Sequence, residues 1–270
     1  MLRNWILPIV FAATLAPAIA QTRVLMSAVE VKTGQPVKDL QASQIVITDD
    51  KAQREVTDLK PSHETVDVML LLDTGLAGSL VQPLAYDLID QLTRQEEMAV
   101  VSYDDSAQLL QDFTASRDLL KQSVARVKFG NEPKVLDALT AAIADGFEHA
   151  TYRRVILLLT AGYEGGSRTP EREVVALARK NGVSIYPIFM AGQMRGLFER
   201  LARQTGGATF NLMSMAKDAT PLSGKPAPLI FDAVRNPYLA TIRGNARLSE
   251  RMKIEVRRPE KIFLSALPLE

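Results

Sequence analysis

Two carboxylates stand where this chain could do chemistry. Asp73 closes the apolar run Val66-Asp67-Val68-Met69-Leu70-Leu71-Leu72, and Glu164 sits in the segment Tyr163-Glu164-Gly165-Gly166-Ser167. A carboxylate pair at a strand end suits a hard divalent cation, which takes oxygen ligands, or general acid–base work. The accompanying residues do not complete either arrangement. Thr74, Gly75 and Leu76 follow Asp73, and the two histidines, His63 and His149, offer no base beside a nucleophile. With no cysteine in the chain, disulfides and thiolate metal sites are excluded, and two histidines do not make a zinc site. No catalytic residue is therefore assigned, and the expectation is a protein that is not an enzyme.

Motifs that carry cofactor chemistry fail on spacing. A dinucleotide site needs G-x-G-x-x-G directly after a first strand so that backbone can approach a pyrophosphate, and Gly75 and Gly78 do not have that spacing. A nucleophile elbow needs a glycine on both sides of its serine, and Gly78-Ser79-Leu80 is not completed by the second one. The net charge of +1 supplies no long-range field, so nucleic acid is not an expected partner.

The elements that position Asp73 follow from hydrophobic pattern. An unbroken apolar run of this length, stopped by polar and glycine residues, is the pattern of a strand buried on both faces of a parallel sheet. Residues 98–103, 107–113, 154–160 and 183–190 read as further strands. Helices are expected over 116–127, 133–150, 170–181 and 198–204, and one more, with the stripe Leu80, Leu84, Leu88 and Leu92, over 78–94. A short strand over 208–212 and a helix ending at Arg235 complete the series. Strands alternating with helices imply a doubly wound, Rossmann-like α/β fold with a mostly parallel sheet. Asp73-Thr74-Gly75, Thr160-Ala161-Gly162 and Met190-Ala191-Gly192 then end three strands on one rim. Both flanks alternate with period two and are too small to fold alone, so they are expected to form a small β unit together. The expected divisions are 1–20, 21–62, 63–235 and 236–270.

The order of these segments resembles a von Willebrand factor type A domain. The resemblance runs through Asp73-Thr74-Gly75-Leu76-Ala77, Val100-Val101-Ser102-Tyr103, Val135-Leu136-Asp137-Ala138-Leu139, Val155 to Gly162 and Thr205-Gly206-Gly207. Gly34-Gln35-Pro36-Val37 and Asn236-Pro237-Tyr238 resemble the flanks of bacterial exported proteins related to that family. The resemblance implies a domain that binds a protein partner at the carboxyl edge of its sheet, often through a divalent ion. In the family that ion is held by D-x-S-x-S, a threonine and a second aspartate, and the partner adds a carboxylate. Asp73 matches the first position, but Gly75, Ala77, Pro133 and Ala161 stand at the other four. The expectation is a degenerate site with no metal and no other cofactor, and a metal-independent partner-binding rim of Thr74, Gly75, Leu76, Pro133, Tyr163 and Glu164. The alternative is a metal-dependent adhesin or hydrolase holding magnesium or calcium through Asp73 and Glu164.

The first twenty residues read as a signal peptide. Arg3 supplies the positive region, Trp5 to Leu15 the apolar one, and Ala18-Ile19-Ala20 the small-residue cleavage site. The expected location is periplasmic or secreted, with no integral membrane segment after cleavage.

Overall fold

The computed structural model describes residues 21–190, 192–217, 225–244 and 252–269. The expected signal peptide, and Ala191 on the expected rim, lie outside these residues. The alternating preface forms β1 (Gln21–Met26), β2 (Ala28–Glu30), β3 (Ile45–Asp49), β4 (Ala52–Arg54) and β5 (Val56–Pro61). The strand that ends in Asp73 is β6 (Val66–Asp73), and all eight of its residues are buried. It is followed by α1 (Gln82–Ile89), β7 (Glu97–Tyr103), β8 (Ala107–Thr114), α2 (Arg117–Ala125), α3 (Val135–Asp145) and β9 (Arg153–Thr160). Next come α4 (Glu171–Lys180), β10 (Ser184–Phe189), α5 (Arg195–Thr205), β11 (Phe210–Asn211), α6 (Leu212–Lys217) and α7 (Pro226–Arg235). The chain closes with β12 (Tyr238–Arg243), β13 (Lys253–Val256), β14 (Ile262–Leu264) and β15 (Leu267–Leu269).

The central sheet has the order β11-β10-β9-β6-β7-β8, parallel throughout except for β8, which returns antiparallel through the hairpin at Asp104-Asp105-Ser106. Because side chains alternate along a strand, β6 feeds two cores. Val66, Val68, Leu70 and Leu72 pack towards α1, α2 and α7. Met69 and Leu71 pack towards α3, α4 and α5. Helices on both faces explain why β6, β9 and β10 are apolar without alternation.

Three expected elements change at their ends. The segment after Asp73 is a 3-10 turn, Gly78–Leu80, before α1 begins, so Leu80 leaves the helical stripe and is 62% exposed while Leu88 and Leu92 are buried. The expected helix over 133–150 is shorter, running from Val135 to Asp145. At Gly146 a β-carbon would stand 2.3 Å from Met69 Cε and 2.4 Å from the Ala142 carbonyl oxygen, so the chain can pass here only as glycine. The strand expected over 208–212, β11, is only two residues long because Asn211 Oδ1 accepts the Ser214 N–H at 3.1 Å and turns the chain into α6.

The flanks fold together. β1 lies between β12 and β15, β5 adds to β12, and β3 pairs with β13, all antiparallel. Val24, Met26, Ile45, Ile47, Tyr238, Ala240 and Ile254 form the core between the two sheets. This unit is fixed to the central domain at the end of α5. Ser27 Oγ donates to the Gly206 carbonyl at 2.7 Å and lies 2.9 Å from Tyr186 Oη, while the Arg203 guanidinium stacks 4.6 Å from the Phe263 ring centre.

A second tie holds α7 against the sheet. Glu96 is buried and accepts from Arg235 Nε at 2.7 Å, Arg235 Nη2 at 2.5 Å and the Thr93 N–H at 3.0 Å. Burial pushes the Glu96 carboxyl up, but Arg235 and Thr93 outweigh it and hold its pKa below the ordinary value. A depressed folded pKa gives stability that is present above the unfolded value and lost as pH falls through the folded one. Glu96→Gln is therefore expected to cost about 2 kcal/mol at neutral pH, with the difference from wild type closing in acid, as read by urea unfolding across pH.

Candidate functional site

The site grows from the carboxyl end of β6. Asp73 is 1% exposed, and its carboxylate is held from three directions. Oδ1 accepts the Gly75 N–H at 2.8 Å, and Oδ2 accepts the Thr160 hydroxyl at 2.9 Å and the Ala161 N–H at 3.0 Å. Asp73 thus ties the end of β6 to the end of β9 instead of capping a helix. Burial raises its pKa, the three donors oppose that rise, and the charge of Asp104 adds to it. Thr74 turns away from the rim and gives its hydroxyl to the Tyr103 carbonyl at 3.0 Å.

The loops around Asp73 fit closely. A β-carbon at Gly75 would lie 2.9 Å from Pro133 Cδ, and one at Gly78 would lie 2.2 Å from the Asp73 carbonyl oxygen. Gly75 and the Pro133 ring therefore occupy one space between them. Asn131 bonds Asp104 Oδ2 through its Nδ2 at 3.0 Å, and the Lys134 N–H bonds the Asp104 carbonyl at 2.7 Å, which joins this loop to the β7–β8 hairpin.

Glu164 closes the opposite side, bound to the start of α3. Its Oε2 accepts the Val135 N–H at 2.8 Å and its Oε1 the Ser167 N–H at 2.6 Å. Ser167 Oγ accepts from Leu136 N at 3.1 Å and Asp137 N at 3.3 Å, so the first three N–H groups of α3 all find acceptors in this loop. Asp137 returns the contact by accepting from Thr169 N at 2.8 Å and Arg168 N at 3.1 Å. Burial pushes the Asp137 carboxyl up, but these two donors prevail and its pKa is lowered.

Between these loops lies a cleft of about 530 Å³ lined by Asp73, Leu76, Ala77, Asn131, Glu132, Pro133, Tyr163, Glu164 and Gly165. Of the rim residues expected from sequence, Leu76, Pro133, Tyr163 and Glu164 line it, whereas Thr74 and Gly75 lie behind it. Leu76 is 79% and Tyr163 41% exposed.

No protein-family model matches the sequence, and no curated protein matches it. Solved structures do. Proximal thread matrix protein 1 of the mussel byssus, with its MIDAS motif occupied by zinc, is 15% identical; the match covers 72% of this chain and 50% of that one, with a TM-score of 0.52. A second structure of the same mussel protein is 17% identical over 75% of this chain and 51% of that one, with a TM-score of 0.51. The fold is that of a von Willebrand factor type A domain. The likeness is one of fold, and the match spans about half the length of the mussel protein. An aerotolerance-related membrane protein from Bacteroides fragilis also matches, at 12% identity over 63% of this chain and 98% of that one, with a TM-score of 0.49.

The metal site of a von Willebrand factor A fold can be tested against the donors present. A hard cation takes six or more oxygens, and of the five positions to which the resemblance points only Asp73 carries an oxygen on its side chain. The space of a serine at Gly75 is filled by Pro133, and Glu164 is held by the N-terminus of α3. Among the described residues no group of three or more His, Asp or Glu is placed to hold a metal ion. The side chains at these positions do not complete the oxygen shell of a divalent ion.

Thr160, which the sequence places at a strand end on the rim, and Ser167, in the segment that carries Glu164, received no role of their own from sequence. Both are hydroxyl residues that follow an apolar run or a glycine pair, and that signal was available, but their acceptor and donor roles depend on contacts made across the fold. Asp73→Ala leaves three donors without an acceptor and also removes a buried charge, so the expected net cost is about 2 kcal/mol by urea unfolding. A raised folded pKa means that the contribution of Asp73 is largest below the ordinary value and shrinks as pH rises through the folded one. The difference between wild type and Asp73→Ala is expected to widen in acid, opposite in sign to that of Glu96→Gln.

Proposed function

We propose that this chain is an exported, non-enzymatic interaction module that docks a partner protein in the cleft above Asp73 without a divalent ion. The observation that carries the reading is the pairing of exposed Leu76 and Tyr163 with a carboxylate whose oxygens are already taken by Gly75, Thr160 and Ala161. Exposed apolar side chains around a concave site favour a protein contact, since covering them removes apolar surface from water. Replacing oxygen ligands by glycine, alanine and proline lowers the desolvation cost of that contact.

Support for export comes from the residues before Gln21, which have the pattern of a cleaved leader. No helix among the described residues is long and apolar enough to cross a membrane. The competing use of Asp73 and Glu164 as metal ligands asks Glu164 to leave the first turn of α3, where both its oxygens accept N–H bonds. A non-enzymatic role is supported by the surroundings of Asp73, where neutral donors hold the carboxylate and the one hydroxyl bonded to it, that of Thr160, is fully buried out of reach of a substrate.

Capture from the exported fraction tests the reading, comparing wild type with the double variant Leu76→Arg plus Tyr163→Ala. Both residues are exposed, so the variant is expected to keep the wild-type circular dichroism and melting temperature. A partner crosslinked to wild type and reduced at least about tenfold on the variant is the expected result. Equal capture by both forms places the binding surface elsewhere on the fold.

A further inference from the structure

The cleft is short of positive charge. Asp73 lies at its floor, Glu132 and Glu164 at its sides, and neither lysine nor arginine lines it. Among the described residues, Glu132 and Glu164 join no ion pair, and Asp73 is met only by neutral donors. Lys134, next in the chain to Pro133, acts instead on Asp137 at the start of α3. Tyr103 pairs in register with Asp73, so its side chain stands on the same face of the sheet. The Tyr103 hydroxyl is buried beneath the cleft, near Thr160 and the Asp73 carboxylate, and brings no positive charge to it.

We propose that the cleft takes a basic side chain of the partner, a lysine or arginine carried between apolar residues. The charged head lies between Glu132 and Glu164 above Asp73, and the aliphatic stem runs along Leu76, Pro133 and Tyr163. Three features make this occupant fit. Carboxylates within low-dielectric walls focus a negative potential that attracts a cation. A long basic side chain covers apolar surface with its stem while its head keeps polar contacts. The Tyr163 ring adds a face for the cation. The inference rests on the docking role proposed for the same cleft, and it reverses the polarity of the carboxylate that a metal-filled adhesion site receives.

Three acetylated and amidated pentapeptides serve as probes, each Ala-Leu-Xaa-Leu-Ala with arginine, citrulline or glutamate at Xaa. They are titrated calorimetrically into the mature chain without divalent ions, and into Glu132→Gln. Glu132 is exposed and makes no side-chain hydrogen bond among the described residues, so its neutralisation leaves the loop in place. The arginine peptide is expected to bind about tenfold more tightly than the citrulline and glutamate peptides, with that margin falling to about threefold or less in Glu132→Gln. Equal affinity for arginine and citrulline overturns the inference; if both are lost in the Leu76→Arg plus Tyr163→Ala variant, the docking role of the cleft stands without the cation. Preference for the glutamate peptide overturns it as well. Failure of the arginine peptide to bind overturns it too, and the crosslinking comparison then decides the docking role separately.

Discussion

A buried carboxylate must be met by donors or it disrupts the fold around it, and at Asp73 that requirement organises the whole functional edge. Two backbone N–H groups and one hydroxyl converge on it from the turn after β6 and from the end of β9. Neighbouring parallel strands are thereby joined beyond their last ladder bonds, at the place where open α/β sheets present ligands. The Gly75 turn is drawn inward, and Pro133 fills the space that a side chain there would need. One constraint thus explains both the shape of the rim and the small residues in it.

The second layer of the rim is organised by α3. Helix N-termini leave N–H groups without intrahelical partners and carry partial positive charge. Here Glu164 and Ser167 supply the acceptors, and Asp137 holds the same loop from the helix side. In the adhesion site of this fold a cation organises such loops. In this chain hydrogen bonds between loops and a helix end do so, and the cleft they enclose keeps negative charge at its floor and apolar residues at its lip.

The architecture was largely legible because burial writes itself into sequence. The apolar stretches that became β6, β9 and β10 are buried on both faces, and the alternation of the preface and tail anticipated their pairing through β1, β12 and β5. Ends of elements were less legible, since Leu80 belongs to a helical stripe by spacing and to a 3-10 turn in fact. β14 and β15 are three residues each, too short for periodicity to register. At the site, Asp73 stood out because a carboxylate ending an apolar run has few neutral explanations. The role of Glu164 was not legible: its partner Val135 lies 29 residues away, and local pattern carries no record of such a contact.

That Asp73 is an internal structural node and not a ligand can be measured most directly by calorimetric titration of magnesium, calcium and manganese into residues 21–270 and into the same chain carrying Asp73→Asn. Heats indistinguishable between the two proteins, with no binding tighter than about millimolar, are the expected result. A micromolar site in the wild type that disappears in Asp73→Asn would contradict it.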